Sequence, residues 1–130
     1  FSTPGVHIGL FCSTPMVALS RNVANKHAME MLLTGDMTSA DRAAEIGLVN
    51  RSVAAENVTS EVMALARKIA SKSVMTLATG KSAFYAQREM SLEAAYAYAS
   101  QVMVDNMLAR DAEEGIDAFI QKRDPIWQDA

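Results

Sequence analysis

The sequence predicts a mainly α-helical chain of about five to seven helices with one or two short strands. Three observations carry that prediction. Ser, Thr and Asn recur just ahead of apolar-periodic runs, where helix N-caps sit. Glycines close two of those runs, at Gly35 and Gly47, where the chain needs a left-handed residue. From Ala55 onward, helical spacing is not interrupted by any β-branched run.

Taken in order, the first element is a possible strand at Val6–Ile8, after a Pro4-Gly5 turn whose glycine is expected to take a positive φ. Thr14-Pro15 reads as an N-cap and N1 proline opening a short helix to about Ser20. Asn25 caps a second helix, with Ala28, Met31 and Leu32 on one face and Gly35 as its stop. Ser39 caps a third, which Gly47 ends. "LVNRSV", Leu48 to Val53, is short and β-branched and is the best strand candidate.

Beyond it, Val58, Val62, Leu65, Ala66 and Ile69 recur at helical spacing from about Ala55 to Ser71. A second long helix covers Met75 to Glu89, and a third, capped by Ser91, runs from Leu92 to about Ala109. Asp111, three residues before Glu114, forms an aspartate version of the capping box. The helix it opens must stop before Pro125. A lone strand cannot make a sheet, so the chain is expected to be the helical portion of something larger.

Half of the 130 residues are hydrophobic and 21% are charged, which fits a packed chain rather than a disordered one. The net charge is −3 with both signs interspersed, which gives no general attraction for nucleic acid or an anionic membrane. Apolar runs fall short of the ~20 residues of a membrane span, and no secretory signal is expected. One cysteine, Cys12, excludes an internal disulfide and reads as a buried thiol rather than a nucleophile. His7 and His27 are read as lacking a metal-ligand partner at helical spacing, and no metal site is expected.

Three stretches together resemble one family. "FSTPGVHIGL" is similar to the F-x-x-P-E-x-x-x-G segment of the crotonase (enoyl-CoA hydratase/isomerase) family. Leu33 to Val53 resembles its L-T-G-D/E-x-x-S/T-A-x-x-A-x-x-x-G-L-V-x-x-V block. "DAEEGIDAFIQKRDPIW" resembles its D-x-x-E-G-x-x-A-F-x-x-K-R-x-P-x-W/F ending. The spacing also fits, apart from a shorter loop at "CSTP", where many members carry a glycine-rich run.

The resemblance implies the C-terminal helical part of an α/β crotonase-type spiral fold, with the N-terminal β-spiral half absent from this chain. Residues 1–54 would end the family core, with the acyl-pocket loop, short helices and a short strand. Residues 55–130 would form a trimerisation and CoA-covering region, giving a homotrimer or a dimer of trimers. The implied ligand is acyl-CoA, with coenzyme A as part of the substrate and no separate cofactor. The implied reaction adds water to, or isomerises, a 2-enoyl-CoA through an enolate held in an oxyanion hole. The implied location is cytoplasmic for a bacterial protein and mitochondrial for a eukaryotic one.

One family glutamate belongs to the implied N-terminal half, and the other falls on Gly5. Glycine cannot transfer a proton, so the chain offers no catalytic carboxylate of its own. His7 is the secondary candidate. In extended backbone it would point the same way as residue 5, ~6–7 Å along the chain. Phe11, Ser13 and Thr14 correspond to the family's acyl-pocket loop, with helix capping as the simpler role of Thr14.

At the other end, Phe119 and Lys122 stand three residues apart and would share a helix face. An aromatic ring beside a cation suits adenine and the CoA 3′-phosphate. In the family the matching pair reaches the nucleotide of a neighbouring subunit. Read from the residues alone, Lys122 suits a helix C-terminus and Phe119 a core position. The alternative to an enzyme is a non-catalytic acyl-CoA-binding or helical oligomerisation module. By itself the chain is expected to be inactive.

Overall fold

The computed structural model describes residues 1–129, which divide into two compact units, Phe1–Val58 and the residues from Thr59 onward. The first holds a 3-10 turn (Pro4–Ile8), α1 (Ser13–Asn22), α2 (Asn25–Thr34), α3 (Ala40–Glu45) and a second 3-10 turn (Ala55–Asn57). The second is built from α4 (Val58–Ala70), α5 (Val74–Gln87), α6 (Leu92–Met107) and α7 (Arg110–Gln121). The described residues contain no β-strand.

In the first unit, the stripe expected on α2 is the core. Ala28, Met31 and Leu32 are buried with Leu19 and Val23 of the α1 end, and Met16, Ile46 and Leu48 pack around them. Leu32 is 2% exposed, a position where truncation to alanine costs about 2–5 kcal/mol. Cys12 lies against the same cluster and is only partly buried, and its sulfur accepts the Gly5 N–H at 3.3 Å. The chain start is tied to α2 and the loop after it. The buried Thr3 hydroxyl donates to the Met31 carbonyl at 2.7 Å, and Phe1 and Thr38 exchange backbone hydrogen bonds at 2.8 and 2.7 Å.

Neither expected strand forms. Val6–Ile8 lies in the 3-10 turn that Pro4 opens. Leu48–Val53 fails for a different reason: the end of α3 captures its first amides. Gly47 is left-handed (φ 78°) and donates to Ala44, while Leu48 donates back to Ala43 at 2.8 Å. That pair of bonds is a Schellman ending, and the Val49 N–H goes to the Ala43 carbonyl as well.

Side-chain capping follows the sequence in part. Ser39 accepts the Arg42 N–H at 3.1 Å and Ser91 accepts the Ala94 N–H at 3.4 Å, as expected. Thr14 is not a cap: α1 starts at Ser13, with Cys12 ahead of it, and Pro15 becomes its third residue. The Met16 N–H, which a capping Thr14 could accept, already donates to the Cys12 carbonyl at 3.0 Å. Asn25 is likewise the first residue of α2, after Ala24.

The second unit is bound together differently. α5 packs on α6 and α6 on α7, yet α4, α5 and α6 bury no side chain. The α4 stripe of Val58, Val62, Leu65 and Ile69 is present but stands 38–58% exposed. Ser73, missed as a cap, is buried and accepts the Thr76 N–H at 3.1 Å to start α5. No helix of the described residues is long and apolar enough to cross a membrane.

Candidate functional site

Gly5 is not the left-handed glycine of its turn; Gly9 is, at φ 75°. What position 5 requires is space. A Cβ built there would stand 2.7 Å from the Leu10 carbonyl oxygen and 2.8 Å from the Cys12 sulfur, both closer than real Cβ contacts. The loop from Ile8 to Cys12 folds over the residue, and the Leu10 N–H closes it by donating to the Gly5 carbonyl at 3.0 Å. This loop thus takes the room that a side chain would need.

His7 does not share the direction of residue 5. In a 3-10 turn each residue rotates by about 120°, so positions two apart face different ways. The His7 ring lies instead over Gly35, where an added Cβ would meet its Nε2 at 2.8 Å. Phe11, Ser13 and Thr14 are all exposed around the start of α1, and the Ser13 N–H is spent on the Phe11 carbonyl at 2.7 Å.

His27 borders a polar hollow of about 300 Å³ between α2 and α3. Its Nδ1 is 3.4 Å from Arg42 and 3.9 Å from Glu30, three residues on, so it does have a helical partner. Arg42 in turn pairs with Glu45 at 3.0 Å. No group of three metal-binding side chains occurs among the described residues.

In the second unit, α7 and the segment after it form the most connected part of the chain. Asp111 and Glu114 do not make a capping box, since Ala109 precedes the helix and bonds through no side chain. Both carboxylates instead hold the segment that returns past the helix. Glu114 accepts Arg123 through two guanidinium nitrogens at 2.6 and 2.9 Å, and the Ile126 N–H at 2.7 Å. The guanidinium, then that N–H, hold the Glu114 carboxyl down at about 2. Asp111 is buried and accepts the Gln128 and Asp129 amides at 2.8 and 3.1 Å. A hydrogen bond from Ser73, then the Gln128 amide, keep it below the usual carboxylate range.

Trp127 closes this strap. Its indole N–H donates to the Ser71 carbonyl at 2.9 Å and its ring packs over Gly115. Together with Leu77, Met107, Ile116 and Phe119 it lines an open, apolar hollow of about 520 Å³. Phe119 is 83% exposed, so it is not the core residue that its spacing allowed.

α7 ends sooner than expected, at Gln121, so Lys122 lies just past the helix and its direction is set by the turn. Lys122 is left-handed (φ 55°), donating to Phe119, while Arg123 donates to Ala118 at 3.0 Å. This is the Schellman ending of α3 again, with lysine in the glycine position. Lys122 is exposed, and among the described residues nothing pairs with its ammonium.

A family model described as enoyl-CoA hydratase/isomerase matches residues 1–130. The chain belongs to the enoyl-CoA hydratase/isomerase (crotonase) family. Among its relatives, enoyl-CoA hydratase domain-containing protein 3, mitochondrial, of Mus musculus is 53% identical over 98% of this chain and 42% of its own length. The Homo sapiens protein of the same name is 51% identical over the same shares. Among solved structures, an enoyl-CoA hydratase of Mycobacterium smegmatis matches with a TM-score of 0.93 at 50% identity, covering 98% of this chain and 49% of that one. Human enoyl Coenzyme A hydratase domain-containing protein 3 matches at 0.92 and 51%, covering 98% and 50%. The chain thus spans about half the length of these family members.

The strap contacts and the crowding at Gly5 are what the sequence reading missed. Glu114 and Arg123 stand nine residues apart, beyond any helical pair rule, and only their place in the family's C-terminal block marked them.

Proposed function

We propose that the intact protein binds acyl-CoA, with Lys122 and Phe119 receiving the nucleotide end of the ligand. The observation that carries this reading is Lys122 itself. A left-handed C-cap favours glycine, and a non-glycine residue there costs about 1–2 kcal/mol. An exposed lysine at such a site is what a ligand contact would explain. Phe119, exposed three residues earlier beside an apolar hollow, supplies a ring on which a base can pack.

The reaction class taken from the family is addition of water to, or isomerisation of, a 2-enoyl-CoA through an enolate. Gly5 favours a version with no acid at that position. Either a carboxylate elsewhere in the intact protein works alone, or acyl-CoA is held without turnover. The bare apolar faces of α4 to α6 support assembly as a homotrimer or a dimer of trimers.

The test is a titration of CoA and 3′-dephospho-CoA into the intact protein and its Lys122→Gly variant. Losing one charge-assisted contact is expected to weaken CoA about five- to thirty-fold, less so at high salt. 3′-Dephospho-CoA should bind both proteins alike. Equal affinity of the two proteins for CoA would overturn the reading.

A further inference from the structure

We infer that the Glu114–Arg123 pair is a positioning device for Lys122, holding its backbone left-handed so that its side chain leaves the turn in one direction. The inference rests on the nucleotide reading above and adds to it how the contact is oriented. Two observations meet here. Lys122 occupies a conformation that its side chain disfavours, and the next residue is clamped to the helix it has just left.

The clamp has direction as well as strength. Arg123 presents both guanidinium nitrogens to the two oxygens of Glu114, a planar fork that fixes orientation as well as distance. Its Nε donates to Gln121 at 2.8 Å, so the residues on either side of Lys122 are joined to one another. The Ile126 N–H on the same Glu114 carboxylate commits the chain to fold back along α7. A chain that reverses onto its own helix needs a left-handed residue at the turn, and that residue is Lys122. Released from the clamp, a lysine would relax towards right-handed or extended backbone and swing its ammonium away. Gly47, in the same ending of α3, meets the turn with no side-chain preference to overcome.

Affinity for CoA and for 3′-dephospho-CoA, measured on the intact protein, tests this with Glu114→Gln, Arg123→Lys and each of them combined with Lys122→Gly. Glu114→Gln keeps the size of the side chain and removes its charge. It should weaken CoA about three- to ten-fold, leave 3′-dephospho-CoA nearly unchanged, and add nothing in the Lys122→Gly background. Arg123→Lys keeps the charge but loses the fork, and should show a smaller loss with the same selectivity. It also answers the question if circular dichroism finds Glu114→Gln unfolded. Equal weakening of both ligands, or the same loss in the Lys122→Gly background, would overturn the inference and make the pair a general support of the strap. If Lys122→Gly itself fails to distinguish the two ligands, the nucleotide reading falls first and takes this inference with it. If it distinguishes them while neither Glu114→Gln nor Arg123→Lys does, only the positioning role falls.

Discussion

Lys122 occupies at the end of α7 the backbone position that Gly47 occupies at the end of α3. Each is left-handed, at φ 55° and 78°, and each is followed by an amide donating back to the helix, from Arg123 to Ala118 and from Leu48 to Ala43. Only one of them carries a side chain against the preference of that conformation. Stability and ligand affinity should therefore move in opposite directions at this residue. Lys122→Gly is expected to raise the unfolding free energy by about 0.5–1 kcal/mol, since the strain of a Cβ outweighs the added freedom of the unfolded chain. Chemical denaturation beside the CoA titration checks it; a fall in stability would mean the strain is not there.

The opposite holds at Gly5, where a side chain has nowhere to go. Gly5→Ala is expected to destabilise the protein by about 1–3 kcal/mol, the usual cost of overpacking. Cys12→Ala should recover only part of that, because the Leu10 carbonyl remains. It follows that Gly5→Glu does not install a working acid in the intact protein. Its rate of hydrating crotonyl-CoA should stay at the parent level; a gain of about a hundred-fold would show that the loop yields.

Trp127 is the one tryptophan of these 130 residues, so in this chain its emission reports the strap. Glu114 is depressed from 4.5 to about 2, and Asp111 lies below its ordinary 3.8. A depressed carboxylate contributes stability that is fully present above its unfolded value and is lost as pH falls through its folded one. Emission should therefore be constant from about pH 8 to 5 and change only as pH drops from 4.5 towards 2. A transition centred near neutral pH would contradict this assignment. Glu114→Gln should remove that carboxylate's share of the acid change.

Helices α5 and α6 expose Phe84, Tyr85, Leu92, Tyr96 and Met103, each more than half accessible. Faces of this kind seek a partner once they exceed a few hundred Å². The chain is expected to sediment and scatter as an oligomer at micromolar concentration. A monodisperse monomer in light scattering would contradict this.

What was legible in the sequence was local. Ser39 and Ser91 announce their helices because the amides they accept lie three residues on. The Ala28, Met31 and Leu32 stripe is core because helical spacing alone sets a face. Leu48 to Val53 misled because β-branching describes a preference, while strands need a neighbour and free amides, and Ala43 had taken two of them. Asp111 and Glu114 looked like a capping box because their true partners, Gln128 and Arg123, are seventeen and nine residues away. The Gly5 substitution was visible as a letter, but not the loop that closes over it.

The cover over Gly5 also sets an order on mutation. Any codon change at position 5 that adds a Cβ meets the Leu10 carbonyl, a backbone atom that no substitution elsewhere can delete. An insertion between Ile8 and Cys12 meets no such obstacle: Ile8, Gly9 and Leu10 are exposed, and Gly9 has open space about it. An acidic residue at position 5 is therefore expected to be tolerated best once an insertion has lifted the carbonyl away. The two changes are epistatic, and in the wrong sequence the first is harmful. Libraries that vary single residues will miss that path, and those that vary loop length first can reach it.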